Sequence, residues 1–274
     1  MNLKDTLSAI NNVPVAVKRI DNTNDSFYIK AFIITIINDS ASMIGARKCV
    51  QSITDTGSKI IPSIFPASTP ITMRNDLIYV YGPELARDLQ YTYPIEDKHN
   101  KTDIKSGMFL KAYKAADYKK IMACTISHLR LWKLCADLKE PIMILEHDAL
   151  LDKHFKYRYL EDGGFTGGAI GLNHPIGATR KAKVFHDKAI ANGTPGCYEC
   201  PAVDDLGAIN VPQGLAGNSA YIIKPWAATM LIDKVKEIGL WPNDAVMCKQ
   251  FFPWLQITLP FYTKLQGISS STTL

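Results

Sequence analysis

The sequence predicts an α/β fold built around a parallel sheet. Residues 31–37 form a continuous β-branched apolar run without alternation, which is typical of a strand covered on both faces. Residues 42–52 then have helical periodicity, and residues 59–65 form a second apolar run. Pro62 within that second run favours an edge strand or a bulge. Strand, helix and strand in this order favour the α/β class.

The composition limits the classes of protein to which the chain can belong. It has 274 residues, is 47% hydrophobic, and carries 31 basic and 26 acidic residues for a net charge of +5. This excludes disordered and fibrous classes and suits acidic ligands such as nucleotide diphosphates. No apolar run approaches the roughly 20 residues of a membrane span, and residues 1–10 lack the hydrophobic segment of a secretory signal. Since six cysteines do not make a disulfide scaffold in so long a chain, we expect a cytoplasmic protein with reduced thiols.

Further elements are expected along the rest of the chain. Residues 118–138 have helical spacing with an apolar stripe, and residues 141–145 form a short buried strand. Residues 193–214 are rich in Gly, Pro, Asp and Asn and are expected to form a long mobile loop. A strand is predicted at residues 219–223 and a helix at residues 226–238.

Two acidic side chains directly follow the buried strand at residues 141–145. Glu146 and Asp148 flank His147, and residues two apart on an extended chain point the same way. Open α/β sheets bind ligands at the carboxyl ends of their strands, and carboxylate oxygens suit magnesium or manganese. The segment is therefore a candidate site for a divalent cation that bridges to a diphosphate. A strand-end turn with solvated acids is the alternative.

Other local patterns suggest metal chemistry, but each is incomplete. His147 and Asp148 with His154 could belong to a metal-dependent phosphohydrolase, although that class normally places its His-Asp pair in a helical bundle. Cys197 and Cys200 could bind zinc, but the sequence has no second cysteine pair at regular spacing. Incidental thiols are therefore favoured at these two positions.

A series of short motifs occurs in one order along residues 31–274. Residues 123–128 (ACTISH) precede Trp132 and then the buried strand that ends in the acidic segment. The flanking motifs are residues 33–38, Arg47, residues 64–67, residues 217–223, residues 242–244, Gln266, Ser269 and Ser270. Together they resemble the signature of glycosyltransferase family 25, the group of lipopolysaccharide-type and collagen galactosyltransferases.

The resemblance implies a GT-A-type, Rossmann-like fold that binds a nucleotide sugar. Residues 1–29 would be an N-terminal arm, residues 30–150 the nucleotide-sugar-binding half, and residues 151–274 the acceptor-binding half of the same domain. The resemblance also implies inverting transfer from a UDP-sugar. Mn²⁺ or Mg²⁺, held through Glu146 and Asp148, would assist this transfer.

The resemblance assigns roles to individual residues. Asp244 is expected to be the base that removes the proton from the acceptor hydroxyl. The expected donor-binding residues are Asn38, Arg47, Ser127, His128, Glu146 and Asp148. The expected acceptor-binding residues are Gly217, Asn218 and Tyr221. His147 stands where the family has the middle aspartate of its acidic triplet, which leaves both outer carboxylates available for a metal.

The sequence leaves the acceptor open. A glycan hydroxyl is the first expectation. Basic clusters at residues 98–120 and 153–188, with Phe155, Tyr157 and Tyr159 between basic residues, suggest DNA with a hydroxylated base as an alternative acceptor. Clustered lysines are more often simply solvated. A nucleotide-sugar-binding protein without catalysis and the phosphohydrolase remain as further alternatives.

Overall fold

The computed structural model describes residues 28–175, 187, 190–191, 193–200, 211–215 and 218–267. Its strands in chain order are β1 (Ile29–Thr35), β2 (Ile60–Pro66), β3 (Lys101–Thr102), β4 (Phe109–Leu110), β5 (Ile142–Glu146), β6 (Ala149–Leu151), β7 (Ala169–Gly171), β8 (Gly196–Glu199), β9 (Ala220–Ile223), β10 (Leu255–Leu259) and β11 (Thr263–Leu265). Its helices are α1 (Ser40–Asp55), α2 (Met73–Tyr81), α3 (Pro83–Leu89), α4 (Tyr118–Leu138), α5 (Tyr157–Asp162), α6 (Pro225–Ile238) and α7 (Asn243–Val246). A 3₁₀ helix covers Asp97–His99.

Seven of the described strands form the central sheet, in the order β2-β1-β5-β9-β7-β10-β8. β1 pairs in parallel with β2 and β5, whereas β9 runs antiparallel between β5 and β7. β10 is parallel to β7 and antiparallel to β8. The predicted α/β class is confirmed, with a parallel Rossmann-like half, but the whole sheet is mixed. Pro62 lies in the edge strand β2, where its missing N–H is tolerated.

Apolar side chains cover both faces of β1, as its continuous apolar run predicts. Ile29, Ala31 and Ile33 belong to the cluster that includes α1, while Phe32 and Ile34 belong to the cluster that includes α4 and α6. Alternate residues of a strand point to opposite faces, so burial of both sets requires cover on both sides of the sheet. The result is a three-layer α/β/α arrangement.

The first strand and helix meet earlier than predicted. β1 ends at Thr35 rather than at residue 37, because the chain leaves the sheet to place Asp39 at the N-cap of α1. The Asp39 carboxylate accepts a hydrogen bond of 2.6 Å from the Ser42 backbone N–H. This cap brings Asp39 to the carboxyl edge of the sheet, beside β5.

Several predicted boundaries agree with the structure, and others differ. α4 occupies residues 118–138 as predicted and ends where Lys139 adopts a left-handed φ of 56°. Ile29, assigned to the arm by sequence, already belongs to β1, and residues 1–27 lie outside the described part of the chain. The loop expected at residues 193–214 contains β8, and residues 201–210 within it lie outside the described part as well. Within the described residues, no helix is long and apolar enough to cross a bilayer.

Candidate active site

A cavity of about 530 Å³ lies at the carboxyl edge of the three parallel strands β2, β1 and β5. The segments that follow these strands line it, together with one face of α4 and the start of α7. Four of the predicted site residues line this cavity: Ser127, Glu146, Asp148 and Asp244. Because ligands of open α/β sheets bind at this edge, the cavity is the candidate active site.

The acidic pair fits an oxygen-ligated cation. Glu146 ends β5, and Asp148 lies in the turn before β6. Among the described residues, Oδ1 of Asp148 is buried and has no hydrogen-bond partner. Burial, and secondly the charge of Glu146, raises the pKa of Asp148 to about 7. A divalent cation would offset both the lost hydration and the repulsion, and oxygen ligands of this kind suit Mg²⁺ or Mn²⁺.

Strand β11 holds the acidic turn, residues 146–148, in place. β11 pairs antiparallel with β6, and the backbone N–H of Gln266 donates to the carbonyl of Asp148 at 2.9 Å. The side-chain Nε2 of Gln266 lies 2.9 Å from the carbonyl of Gly45 and 3.2 Å from the carbonyls of His147 and Ala149. Gln266 therefore ties the turn to α1.

His147 faces the same cavity from the middle of the acidic turn. Burial lowers the pKa of His147, although the charges of Glu146 and Asp39 oppose this effect. The ring is therefore favoured in its neutral form between two carboxylates. Because His147 and Asp148 lie in a turn between two strands, their setting differs from the helical bundle that a phosphohydrolase of this type would need.

His128 lies behind Glu146 rather than in the cavity wall. Its Nε2 is 3.2 Å from Oε1 of Glu146, and its Nδ1 is 2.9 Å from Oη of Tyr221. Nε1 of Trp132 donates to the same Oη at 2.8 Å. Since the Tyr221 side chain is fully buried, its expected contact with an acceptor does not fit this structure. Any effect of His128 on a donor would act through Glu146.

Ser127 fastens the loop after β2 to α4. Its Oγ accepts a hydrogen bond of 2.8 Å from the Ser68 backbone N–H and donates one of 2.8 Å to the carbonyl of Ala123. Nη1 of Arg130 donates to the carbonyl of Pro66 at 2.9 Å. The Ser127 hydroxyl, expected to contact the donor, is therefore engaged with the protein and shapes the wall of the cavity instead.

Asp244 reaches the cavity from α7. The N-cap of that helix is Pro242, so Asp244 does not occupy the capping position. The side chain is exposed to the cavity, yet the surrounding protein removes enough water to raise the pKa of Asp244, with a second contribution from Glu146. The backbone N–H of Ala245 partly opposes this shift. A carboxylate in this setting is suited to accept a proton.

The remaining predicted site residues do not line the cavity. Asn38 and Arg47 are exposed, in the turn before α1 and on α1 itself. Asn218 is buried with a left-handed φ of 43°, and its Nδ2 lies 3.2 Å from Sδ of Met247. Gly217 lies outside the described residues.

The cavity also contains polar residues that the sequence analysis did not assign to the site. They are Asp39, Ser68, Thr69, Tyr113, Lys120, Cys124, Ser219 and Asn243. Helical spacing could have revealed Lys120 and Cys124, since both lie at intervals of four residues before His128. Ser219 comes from a segment with no such period, and its Oγ is buried without a hydrogen-bond partner among the described residues.

Glu146 of the acidic pair also lies close to two other potential metal ligands. One side-chain atom each of Cys124, His128 and Glu146 lies within 4.8 Å of the others. Burial, followed by the charge of Glu146, raises the pKa of the Cys124 thiol well above its usual value. Because a thiol must ionise to bind zinc, this trio is a poorer fit for a metal than the acidic pair.

Only part of the DNA-binding surface considered from the sequence lies within the described residues. Three lysines of the first basic cluster pair with acidic side chains: Lys98, Lys105 and Lys114. Phe155 and Tyr157 are buried, so they cannot stack on an extruded base, while Tyr159 is exposed. Residues 180–183 and 188, which belong to the second cluster, lie outside the described residues.

Cys197 and Cys200 do not converge on a common ligand. Cys197 packs against the apolar cluster that includes α1, whereas Cys200 is buried in the cluster that includes α4. The two thiols therefore lie on opposite faces of the sheet. The preference for incidental thiols over a zinc site agrees with this arrangement.

One family model matches part of the chain, and two solved structures are similar to it. Residues 86–162 match the model of glycosyltransferase family 25 (LPS biosynthesis protein). No curated protein matches the chain. Among solved structures, the chain is similar to the apo structure of the bifunctional glycosyltransferase WbbM, with 11% identity and a TM-score of 0.42 over 88% of this chain and 40% of that one. It is also similar to apo mouse xyloside xylosyltransferase 1, with 8% identity and a TM-score of 0.37 over 81% of this chain and 80% of that one.

The family match falls on part of the candidate site. Its residues include all of α4, β5 and the turn after β5, and hence His128, Glu146 and Asp148, but not Asp244. The chain spans 40% of the length of the WbbM structure. Residues 86–162, which include the acidic pair of the candidate active site, are therefore similar to glycosyltransferase family 25.

Proposed function

We propose that the chain transfers a sugar from a UDP-sugar to a hydroxyl group of a glycan acceptor, with inversion at the anomeric carbon. The observation that carries this proposal is the cavity that joins the acidic pair Glu146 and Asp148 to Asp244. The acidic pair suits a cation that binds a diphosphate, and Asp244 suits the role of base for the acceptor hydroxyl. The family 25 match supports the same reaction class.

Glu146 and Asp148 would hold Mn²⁺ or Mg²⁺. Oδ1 of Asp148, which is buried without a partner among the described residues, is the strongest indication that a cation belongs there. When bound, the cation would offset the negative charge that develops on the departing diphosphate. Lys120 lines the same cavity and would contribute a further positive charge.

Asp244 would act as the base. As the acceptor oxygen bonds to the anomeric carbon, its proton passes to the Asp244 carboxylate. The bond between that carbon and the diphosphate oxygen breaks, and its electron pair leaves with the diphosphate. Attack from the face opposite the leaving group inverts the configuration. The raised pKa of Asp244 makes its carboxylate a better base than a fully solvated aspartate.

The donor can be tested separately from the acceptor. UDP-, GDP- and CMP-sugars are screened by thermal shift with and without Mn²⁺, since a ligand that binds only the folded state raises the melting temperature. We expect UDP-sugars to stabilise the protein in a Mn²⁺-dependent way. Asp148→Asn should abolish this dependence together with transfer, and Glu146→Gln should act in the same direction but less strongly. Full transfer in excess chelator would contradict the metal site.

The acceptor class requires its own measurement. Transfer to oligosaccharides is followed by mass spectrometry of the product and by release of UDP. For comparison, retention of the protein on duplex DNA is measured at rising salt concentration. Binding to DNA releases counterions, so the logarithm of the affinity should fall linearly with the logarithm of the salt concentration. Transfer to a glycan without retention on DNA at low salt is the expected outcome. Tight, strongly salt-dependent retention would contradict the glycan acceptor.

A further inference from the structure

We propose that Trp132 and Tyr221 fix His128 in one tautomer, and that His128 thereby orients Glu146. The proposed role of Glu146 in cation binding gives this arrangement its function, whereas the tautomer itself follows from the hydrogen bonds. Trp132, Tyr221 and His128 would be positioning residues, because they act through Glu146 and none of them lines the cavity.

The two ends of the series determine the direction of every hydrogen bond in it. The Trp132 indole N–H can only donate, and the Tyr221 hydroxyl oxygen accepts it at 2.8 Å. At the other end, Nε2 of His128 lies 3.2 Å from the carboxylate oxygen Oε1 of Glu146, which accepts, so Nε2 carries the proton. Nδ1 of His128 is then the acceptor for the Tyr221 hydroxyl at 2.9 Å. All bonds run from Trp132 towards Glu146.

The opposite tautomer leaves two groups unsatisfied. It would place Nδ1–H against Oη of Tyr221, and the tyrosine proton would then have no acceptor within the series. It would also direct the lone pair of Nε2 at the Glu146 carboxylate. Since Trp132, Tyr221 and His128 are fully buried, solvent water cannot compensate for either mismatch.

The surrounding packing keeps the rings in this arrangement. The His128 and Tyr221 rings are stacked, with centroids 5.8 Å apart and planes inclined by 17°. His128 and Trp132 lie one helical turn apart on α4, and Tyr221 lies on β9, which pairs with β5. The Glu146 carboxylate is thus set by two elements of the core. The same reasoning argues against His128 as a metal ligand, because both of its ring nitrogens are already engaged.

The first test measures the tautomer in the metal-free protein. Side-chain ¹⁵N NMR of His128 should show the Nε2–H tautomer alone in the wild type. Tyr221→Phe removes one hydroxyl and should produce a mixture of tautomers. Tyr81→Phe is the matched control, because it removes a tyrosine hydroxyl that donates to the carbonyl of Ile232 at 2.8 Å, away from the cavity. This control should leave the His128 spectrum unchanged.

The second test measures Mn²⁺ affinity by calorimetric titration. Tyr221→Phe should weaken binding by about tenfold, as is usual when a residue that orients a metal ligand is lost. His128→Gln can place an amide N–H where Nε2–H lies and should keep most of the affinity. His128→Phe retains a ring without a donor and should not. Tyr81→Phe should bind Mn²⁺ like the wild type.

The outcomes separate this inference from the proposed function. An Nδ1–H tautomer in the wild type would overturn the inference, even if Tyr221→Phe does not fold. A single Nε2–H tautomer with unchanged Mn²⁺ affinity in folded Tyr221→Phe would overturn it as well. If the wild type binds no Mn²⁺, the metal site of the proposed function fails, and the NMR comparison still decides whether Tyr221 sets the tautomer.

Discussion

At the scale of single residues, the charge of Asp148 depends on what occupies the cavity. Its pKa is raised from 3.8 to about 7, first by burial and then by Glu146. Between these two values the folded protein keeps a proton that the unfolded chain releases. The free energy of unfolding of the metal-free protein therefore falls as pH rises through this window, and it levels off above it.

We expect Asp148→Asn to stabilise the metal-free protein at pH 8. The gain in the free energy of unfolding should be about 2 kcal/mol. It should shrink as pH falls towards the pKa of Asp148 in the unfolded chain, because the folded wild type then carries a neutral side chain at this position, as the variant does. Urea denaturation with a chelator at pH 8 and pH 5 measures it. Saturating Mn²⁺ should reverse the order of the two proteins. Equal stability at pH 8 without metal would contradict the buried, repelled state of Asp148.

Asp244→Asn tests the base. Turnover should fall by at least roughly a hundredfold, because the amide cannot accept the acceptor proton, while the affinity for the UDP-sugar stays within a few fold. Steady-state kinetics and donor titration give the two quantities. If donor affinity collapses instead, Asp244 belongs to the donor or metal site.

His147→Asp tests the altered acidic triplet. A third carboxylate beside Glu146 and Asp148 should repel them. It should lower the free energy of unfolding of the metal-free protein by about 1 kcal/mol or more, and its melting temperature should fall accordingly. Mn²⁺ should restore that stability, and transfer should persist. Complete loss of transfer in the folded variant would show that His147 has a role of its own.

At the scale of elements, α4 sets the position of the loop that follows β2. Ser127 and Arg130 lie nearly one turn apart. Ser127 binds Ser68 of that loop, and Arg130 binds Pro66, the last residue of β2. Oγ of Ser68 lies 3.3 Å from Nη1 of Arg130, and the Arg130 guanidinium lies 4.7 Å from the centre of the Phe65 ring. The cavity wall therefore depends on a helix that does not itself belong to the loop.

Ser127→Ala should weaken donor binding more than it slows transfer. Loss of the hydrogen bond to Ser68 frees the loop and should raise the KM for the donor several-fold, with a stability loss of about 1 kcal/mol. Thr125→Val is the control, because Thr125 bonds to the carbonyls of Ile121 and Trp241 and not to this loop. Equal KM values in the two variants would contradict the tether.

Local pattern determined which elements could be predicted. β1 and α4 were predictable because their apolar spacing lies within one segment, and Glu146 and Asp148 were predictable because they directly follow a strand. Residues 66–120 were not, since α2, α3 and the β3–β4 hairpin are short and depend on distant contacts. Tyr221 was expected to contact the acceptor, because sequence alone does not reveal a hydrogen bond to His128, 93 residues away.

At the scale of the whole molecule, a buried ion pair joins the hairpin region to α6. Nζ of Lys234 lies 2.8 Å from Oδ1 of Asp103, and their side chains are 10% and 4% exposed. Burial alone would raise the pKa of Asp103, but hydrogen bonds from Lys234 and Ser106 outweigh it and lower the pKa. The stability from this shift is present above the unfolded pKa of Asp103 and is lost as pH falls through its folded value.

Asp103→Asn should destabilise the protein by about 3 kcal/mol at pH 7, because it removes the buried and closer partner of Lys234 and leaves only Glu237, at 3.4 Å. The difference in the free energy of unfolding between this variant and the wild type should become smaller as pH falls into the acid range. Asp97→Asn is the control, since Asp97 forms an exposed pair with Lys114. Urea denaturation at pH 7 and pH 4 compares the three proteins, and similar losses in both variants would contradict the role of burial.

The many contacts of α4 also constrain how the chain can vary in evolution. Lys120 and Cys124 face the cavity, Ser127 and Arg130 hold a loop, and His128 bonds to Glu146. Each residue turns an α-helix by about 100°, so deleting one residue early in α4 would rotate all later side chains away from their partners at once. Homologues should therefore accept insertions and deletions in the connecting loops, whereas the length between Lys120 and Arg130 should be invariant.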